Sequence, residues 1–161
     1  MEDAAEIARV QVESWRAGYA HVFPADYLAG LSIDERAELW TRTLSEGMYD
    51  VFVAELDGRI AGFASAGPTE DEDERAPEGE LYAIYVDVAA WGRGIGRALL
   101  TRSEEALRHA GFDDAALWVL EDNPRARRLY ETAGWTADGA SKPFSRGGVD
   151  TVVVRYRRSL C

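Results

Sequence analysis

Apolar residues recur at helical spacing between Ala4 and Tyr19, at Ile7, Val10, Trp15 and Tyr19, while Glu6, Arg9, Glu13 and Arg16 take the other faces. The pattern predicts an amphipathic first helix. Pro24 falls in a loop, and Ser32 with Glu35 three residues later forms a capping box. It opens a second helix that carries Ile33, Ala37, Trp40 and Leu44 and ends near Gly47. The period then shortens. Residues 51–56 and 59–65 read as strands joined by Asp57-Gly58, because a type I′ turn needs positive φ at both central positions. Residues 67–79 hold the acidic run 70–74 between Pro68 and Pro77, and read as an exposed, mobile loop. A strand resumes over 81–86. Beyond the glycine-rich segment 91–96, Ile95, Leu99, Leu100, Ala106, Leu107 and Ala110 mark a third helix stopping at Gly111. Residues 115–120 read as a buried strand. Asn123-Pro124 has the form of an N-cap and first-turn proline, opening a fourth helix through Leu129, Tyr130 and Ala133 to Gly134. A closing strand spans 151–156 and pairs with a short one near 135–136. The order α-α-β-β-β-α-β-α-β-β predicts an α/β fold with a mixed central sheet.

Composition narrows the options. With 161 residues, 47% hydrophobic positions and five Trp, the chain has material for one packed domain over residues 1–161. No uncharged run approaches the ~18 residues of a membrane span, so a membrane partner is not expected. The opening Met1-Glu2-Asp3-Ala4-Ala5-Glu6 is unlike a secretory signal, and the expected location is cytoplasmic. Cys161 is the only cysteine, which excludes an intrachain disulfide. Acidic residues outnumber basic ones 29 to 18, a net charge of -11, which disfavours nucleic acid as a partner. Lys142 is the only lysine among those basic residues. His21 and His109 with one Cys are too few soft ligands for structural zinc, and no metal is expected.

Gly92, Gly94 and Gly96 lie between a predicted strand and a predicted helix, a context that turns backbone N–H groups toward an anion. The dinucleotide pattern fails, since it needs glycine at Arg97 or Leu99. A P-loop fails because Lys142 follows Ser141, and a hydrolase elbow would need glycine at Phe63. A purely structural tight turn stays open on the glycines alone.

Residues 81–87, Leu-Tyr-Ala-Ile-Tyr-Val-Asp, followed by 91–100, Trp-Gly-Arg-Gly-Ile-Gly-Arg-Ala-Leu-Leu, resemble the fourth strand, pyrophosphate loop and third helix of the GNAT acyl-coenzyme A N-acetyltransferases. Residues 117–123 and 126–135 are similar to that family's fifth strand and fourth helix. The resemblance covers residues 51–158. It implies a mostly antiparallel sheet whose fourth and fifth strands splay, flanked by helices. It also implies acetyl-CoA as co-substrate and a small-molecule or peptide amine as acceptor. Backbone amides of Gly92, Arg93, Gly94, Ile95, Gly96 and Arg97 would hold the pyrophosphate. Ile84, Tyr85 and Val86 would lie along the pantetheine arm with Asn123, and the Val86 N–H would face the acetyl oxygen. Tyr130 would protonate or hydrogen-bond the coenzyme sulfur, with plain core packing beside Ala126, Leu129 and Ala133 as the alternative. Glu80, eleven residues before Trp91, would relay the amine proton, although it could equally end the acidic loop in water. Trp15, Tyr19 and Tyr82 fall where an acceptor pocket would be, with plain core packing as the alternative for the first two. The acidic run reads first as a solvated loop, but near a site it would attract a cation, so a cationic acceptor is expected, with polyamine, aminoglycoside and peptide amines all compatible.

The chain departs from the family at Trp91, where Gln or Arg is usual, and at its start, where Met1 leads almost directly into the first helix, so that the family's preceding strand is missing, truncated or supplied otherwise. A homodimer is compatible with the sequence, which does not fix the assembly. A catalytically idle acyl-CoA-binding sensor or interaction domain on the same fold is the competing reading.

Overall fold

The computed structural model describes residues 2–71 and 78–161. Helix α1 (Glu2–Gly18) buries the stripe Ala4, Ile7, Ala8 and Val10 as its spacing requires. A short helix, α2 (Ala25–Ala29), follows Pro24 where the sequence suggested only a loop. Five residues carry too little periodicity to be seen in advance; burial of Leu28 with Tyr19 and Phe23 fixes the turn. Helix α3 (Ile33–Glu46) starts where Ser32 Oγ accepts the Glu35 N–H at 3.2 Å and ends at Gly47, φ 63°. It packs through Trp40, whose ring meets Phe63 edge-on at 5.1 Å.

Strands β1 (Asp50–Leu56) and β2 (Arg59–Pro68) form the expected hairpin, with positive φ at Asp57 and Gly58. Then come β3 (Gly79–Val86), α4 (Ile95–His109), β4 (Asp114–Leu120), α5 (Pro124–Thr132), β5 (Thr136–Arg146) and β6 (Val149–Ser159). The loop expected over 67–79 is shorter at its described ends, because Gly67, Pro68 and Gly79 belong to strands and Glu78 is buried. Residues 72–77, including most of the acidic run, lie outside the described residues. The closing hairpin is longer than the sequence suggested. Most of β5 is exposed, so it carries no alternation of apolar residues to mark it.

The strand order is β1-β2-β3-β4-β6-β5, and the sheet is antiparallel except where β3 runs parallel to β4. Neighbouring residues of β2 serve opposite layers: Phe63 packs with Ile7 and Val10 of α1, and Ala64 with Leu99 and Leu100 of α4. Gly62 allows α4 to come close, since a Cβ there would lie 3.1 Å from the Ile95 and Leu99 side chains. The feature that matters for function is the β3–β4 ladder. It runs only from Gly79↔Ala115 to Leu81↔Leu117, after which β3 stays with β2 and β4 with β6. The two strands therefore splay, as the resemblance implied for the corresponding pair. Among the described residues no helix is long and apolar enough to cross a membrane.

Candidate active site

A cleft of about 830 Å³ opens where β3 and β4 part. At one end the chain leaves β3 through a turn built to expose backbone. Asp87 accepts the Ala89 N–H at 3.0 Å, closing the 3-10 turn Val88–Ala90. Trp91 then donates its indole N–H to the Val86 carbonyl at 2.9 Å. Gly92 and Gly94 adopt φ of 75° and 80°, a region where a side chain is strained. Gly94 is also the N-cap of α4 and offers no capping side chain, so the first N–H groups of that helix stay available to an anion. Gly92, Gly94, Ile95, Gly96 and Arg97 line the cleft, whereas Arg93 does not. Arg125 supplies a cation that the sequence reading missed. Its guanidinium lies 3.6 Å from the Trp91 ring centroid, and burial lowers its pKa. Only the fold brings α5 against this turn.

In the middle of the cleft the edge of β3 is bare. The Asp87 N–H donates to Ala61 O at 2.7 Å, so residues 85 and 87 direct their backbone groups to β2. Ile84 and Val86 therefore direct theirs to the cleft, and Tyr85 contributes its ring rather than its backbone. The Val86 carbonyl accepts from Ser14 Oγ at 3.0 Å as well as from Trp91. Its N–H points the same way with no strand opposite it. Across the opening, Asn123 performs two functions at once. Its Oδ1 caps α5 by accepting the Ala126 N–H at 3.1 Å, and its Nδ2 donates to the Tyr19 hydroxyl at 3.3 Å. Tyr130 is 7% exposed and packs against Trp135 and Tyr156. The residue lines the cleft. Burial pushes its pKa up, which keeps the phenol neutral.

The other end is aromatic and acidic. Glu80 is 7% exposed at the middle pair of the short β3–β4 ladder, opposite Ala116, and its Oε2 accepts from Thr69 Oγ1 at 2.8 Å. Burial raises its pKa, with the nearby Asp71 charge acting in the same direction. Tyr82 lines the same wall but donates its hydroxyl to Pro68 O at 2.6 Å. Trp15 of α1 and Tyr19, just beyond its end, line it and are also packed with Phe23. Trp118, Lys142 and Phe144 complete this end, with Asp71 accepting the Trp118 indole N–H, and none of the four was singled out as a site residue from the sequence. They come from a loop and two strands far apart in the chain; the one signal available was that Lys142 has no other lysine beside it. Among the described residues no group of three His, Cys, Asp or Glu is placed to hold a metal.

Comparison with known proteins agrees with this geometry. The sequence matches the profile of the Acetyltransferase (GNAT) family over residues 11–135. It is 42% identical over 125 residues to the uncharacterized N-acetyltransferase YuaI of Bacillus subtilis, spanning 77% of this chain and 70% of that one. It is 32% identical over 166 residues to the mycothiol acetyltransferase of Acidothermus cellulolyticus, covering 86% of this chain but only 48% of that relative. The PaiA N-acetyltransferase of Thermoplasma acidophilum, solved in complex with coenzyme A, shares the fold. Its TM-score is 0.73 at 20% identity, over 98% of this chain and 93% of that one.

Proposed function

The chain belongs to the GNAT acetyltransferase family, and on that premise we propose that its cleft transfers acetyl directly from acetyl-CoA to a primary amine. The observation that carries this reading is the early end of the β3–β4 ladder. It leaves the backbone edge of Ile84 and Val86 open between an anion-binding turn and a buried carboxylate.

Acetyl-CoA supplies a thioester, an acyl group already activated toward nitrogen. The residues fit it: N–H groups of the turn and of the first turn of α4 suit a pyrophosphate, with Arg97 and Arg125 beside them. The cleft edge of Ile84 and Val86, with Asn123 opposite, suits the amides of a pantetheine arm. Glu80 takes the proton of the incoming ammonium, which at pKa ~10.4 has almost no free lone pair at neutral pH. Its raised pKa makes it a better base than an exposed carboxylate. The Val86 N–H faces the carbonyl oxygen as nitrogen adds to the acyl carbon. As the C–S bond breaks, Tyr130, buried and neutral, donates a hydrogen bond to the departing sulfur, and the second proton that nitrogen sheds on becoming an amide goes to that thiolate, which leaves as the free thiol. Its elevated pKa makes it a stabilising donor to the thiolate rather than a strong acid.

Two measurements test the reading together. At a hundred times its dissociation constant, acetyl-CoA should add ~2.7 kcal/mol of stability and raise the melting temperature by several degrees. Free thiol should then appear when assorted primary amines are added. A melting curve unmoved by millimolar acetyl-CoA sinks the coenzyme assignment, and binding without thiol release identifies an idle acyl-CoA sensor.

A further inference from the structure

The acceptor end of the cleft contains an ammonium of the protein's own. Lys142 Nζ lies 4.1 Å from the Trp118 ring centroid and 3.5 Å from Asp71 Oδ1, and the residue lines the cleft. An aromatic face backed by a carboxylate attracts an alkylammonium, here at a partly exposed position, with the Lys142 side chain 48% and the Asp71 side chain 28% exposed. The seat is also built rather than fortuitous. Trp118 Nε1 donates to Asp71 Oδ2 at 2.6 Å, locking ring and carboxylate together. The Asp71 N–H donates to Thr69 Oγ1 at 3.1 Å, and Thr69 Oγ1 in turn donates to Glu80. Seat and candidate base are thus one hydrogen-bonded unit. Arg155 also lies near the Trp118 ring, at 5.4 Å, and Asp138 matches its charge at 2.7 Å.

The choice of residue is informative. Arginine supplies every other cation of the chain, yet the compact, flexible ammonium is used here. We propose that Lys142 fills an alkylammonium seat beside Glu80 and so selects an acceptor with a single ammonium on an apolar body. The inference rests on the amine-acetylation reading above and refines it. With Asp71 and the Trp118 face already taken, Glu80 is the carboxylate left for the substrate among the described residues that line the cleft. The walls around it are apolar, from Trp15, Tyr19, Phe144 and Val153. A second ammonium on the substrate meets the Lys142 charge and finds its counterion occupied. A hydrocarbon tail can lie against the rings of Trp15, Tyr19 and Phe144 and the methyl groups of Val153. Lys142 acts here as a specificity-determining residue, through occupancy of a position rather than through contact with the reacting atoms.

Hexylamine and 1,6-diaminohexane, equal in length and differing by one ammonium, separate these cases. The wild-type protein should acetylate hexylamine with at least about tenfold higher kcat/KM than the diamine. Lys142→Ala should vacate the seat and shrink that ratio by at least about tenfold, the change falling on KM for the diamine. Lys142→Gln, which keeps the stem but not the charge, should shift it in the same direction, and melting curves confirm that both variants fold. A wild-type preference for the diamine, or a ratio unchanged in both variants, overturns the proposal. If acetyl-CoA raises the melting temperature but neither amine releases thiol, the substrate class is wrong while the coenzyme assignment stands. If acetyl-CoA has no effect on melting, the function assigned to the cleft fails first.

Discussion

Glu80 and Tyr130 are both buried and both have raised pKa values, yet burial prepares them for opposite tasks. A buried carboxyl becomes a stronger base, and a buried phenol remains a neutral donor. For Glu80 the stability sign follows directly. Its folded pKa lies above the unfolded value, so the cost of holding the carboxylate is absent at low pH and present in full above the folded pKa. Glu80→Gln should therefore melt at the same temperature as the wild type or higher at neutral pH, while turnover falls. The ratio of wild-type to variant rate should narrow toward alkaline pH, where free amine is plentiful. A ratio flat from neutral to alkaline pH would assign the proton relay to water. Tyr130→Phe removes one hydroxyl and keeps the ring against Trp135 and Tyr156. Turnover should drop roughly 10²- to 10³-fold, the scale of losing one donor to a developing negative charge, with acetyl-CoA affinity nearly unchanged. Full turnover with chemistry shown to be rate-limiting would reduce Tyr130 to a packing residue.

Elements whose local chemistry was self-sufficient could be read in advance. Ser32 and Gly47 bound α3, Asp57-Gly58 makes the first hairpin and Asn123-Pro124 opens α5, each through a capping or φ requirement contained within a few residues. The turn at 92–96 and the positions of Glu80 and Tyr130 became legible through motif resemblance, since nothing local shows that β3 and β4 will part. The acceptor end could not be read. Asp71, Trp118 and Lys142 meet only because β4, β5 and the loop after β2 converge, and no periodicity encodes that meeting. The β5–β6 hairpin was underestimated for a related reason: its stability lies in a tertiary contact. Gly147, φ 58°, sits where a Cβ would lie 2.5 Å from Tyr27, whereas Gly148, φ 76°, has open space. Gly148→Ala should cost about 1 kcal/mol, the price of left-handed backbone alone. Gly147→Ala must also displace Tyr27 and should cost ~1–3 kcal/mol more in denaturant titration. Equal losses would mean that the hairpin tip does not bear on α2.

At the scale of the whole molecule, one cation joins the helical layer to the sheet and to the candidate coenzyme turn. Arg9 of α1 donates to Glu6, to Glu13 Oε2 at 2.9 Å, to the Ile60 carbonyl at 3.0 Å and to Asp87 Oδ2 at 2.8 Å. Asp87 also closes the 3-10 turn that leads into Gly92, so the same side chain braces the anion end of the cleft. Hydrogen bonds from Arg9 hold the Glu6 and Asp87 carboxyls below the usual carboxylate range. A depressed folded pKa contributes stability that is present above the unfolded values, ~3.9 for Asp and ~4.3 for Glu, and lost as pH falls through the folded pKa. Arg9→Met retains much of the stem and deletes the donors. At neutral pH it should lower stability by about 2–3 kcal/mol, the scale of hydrogen bonds to charged groups. Acetyl-CoA affinity should weaken with it, because the Asp87 turn loses its outer brace. As pH falls below about 4 the gap between wild type and variant should begin to narrow, losing the share due to Glu6 and Asp87 as pH passes through their depressed folded pKa values, while the share due to the Ile60 carbonyl persists. Melting curves of both proteins from neutral to acid pH read this directly. A gap that keeps its full width at the lowest pH would show that Arg9 stabilises the fold by packing and the Ile60 hydrogen bond alone.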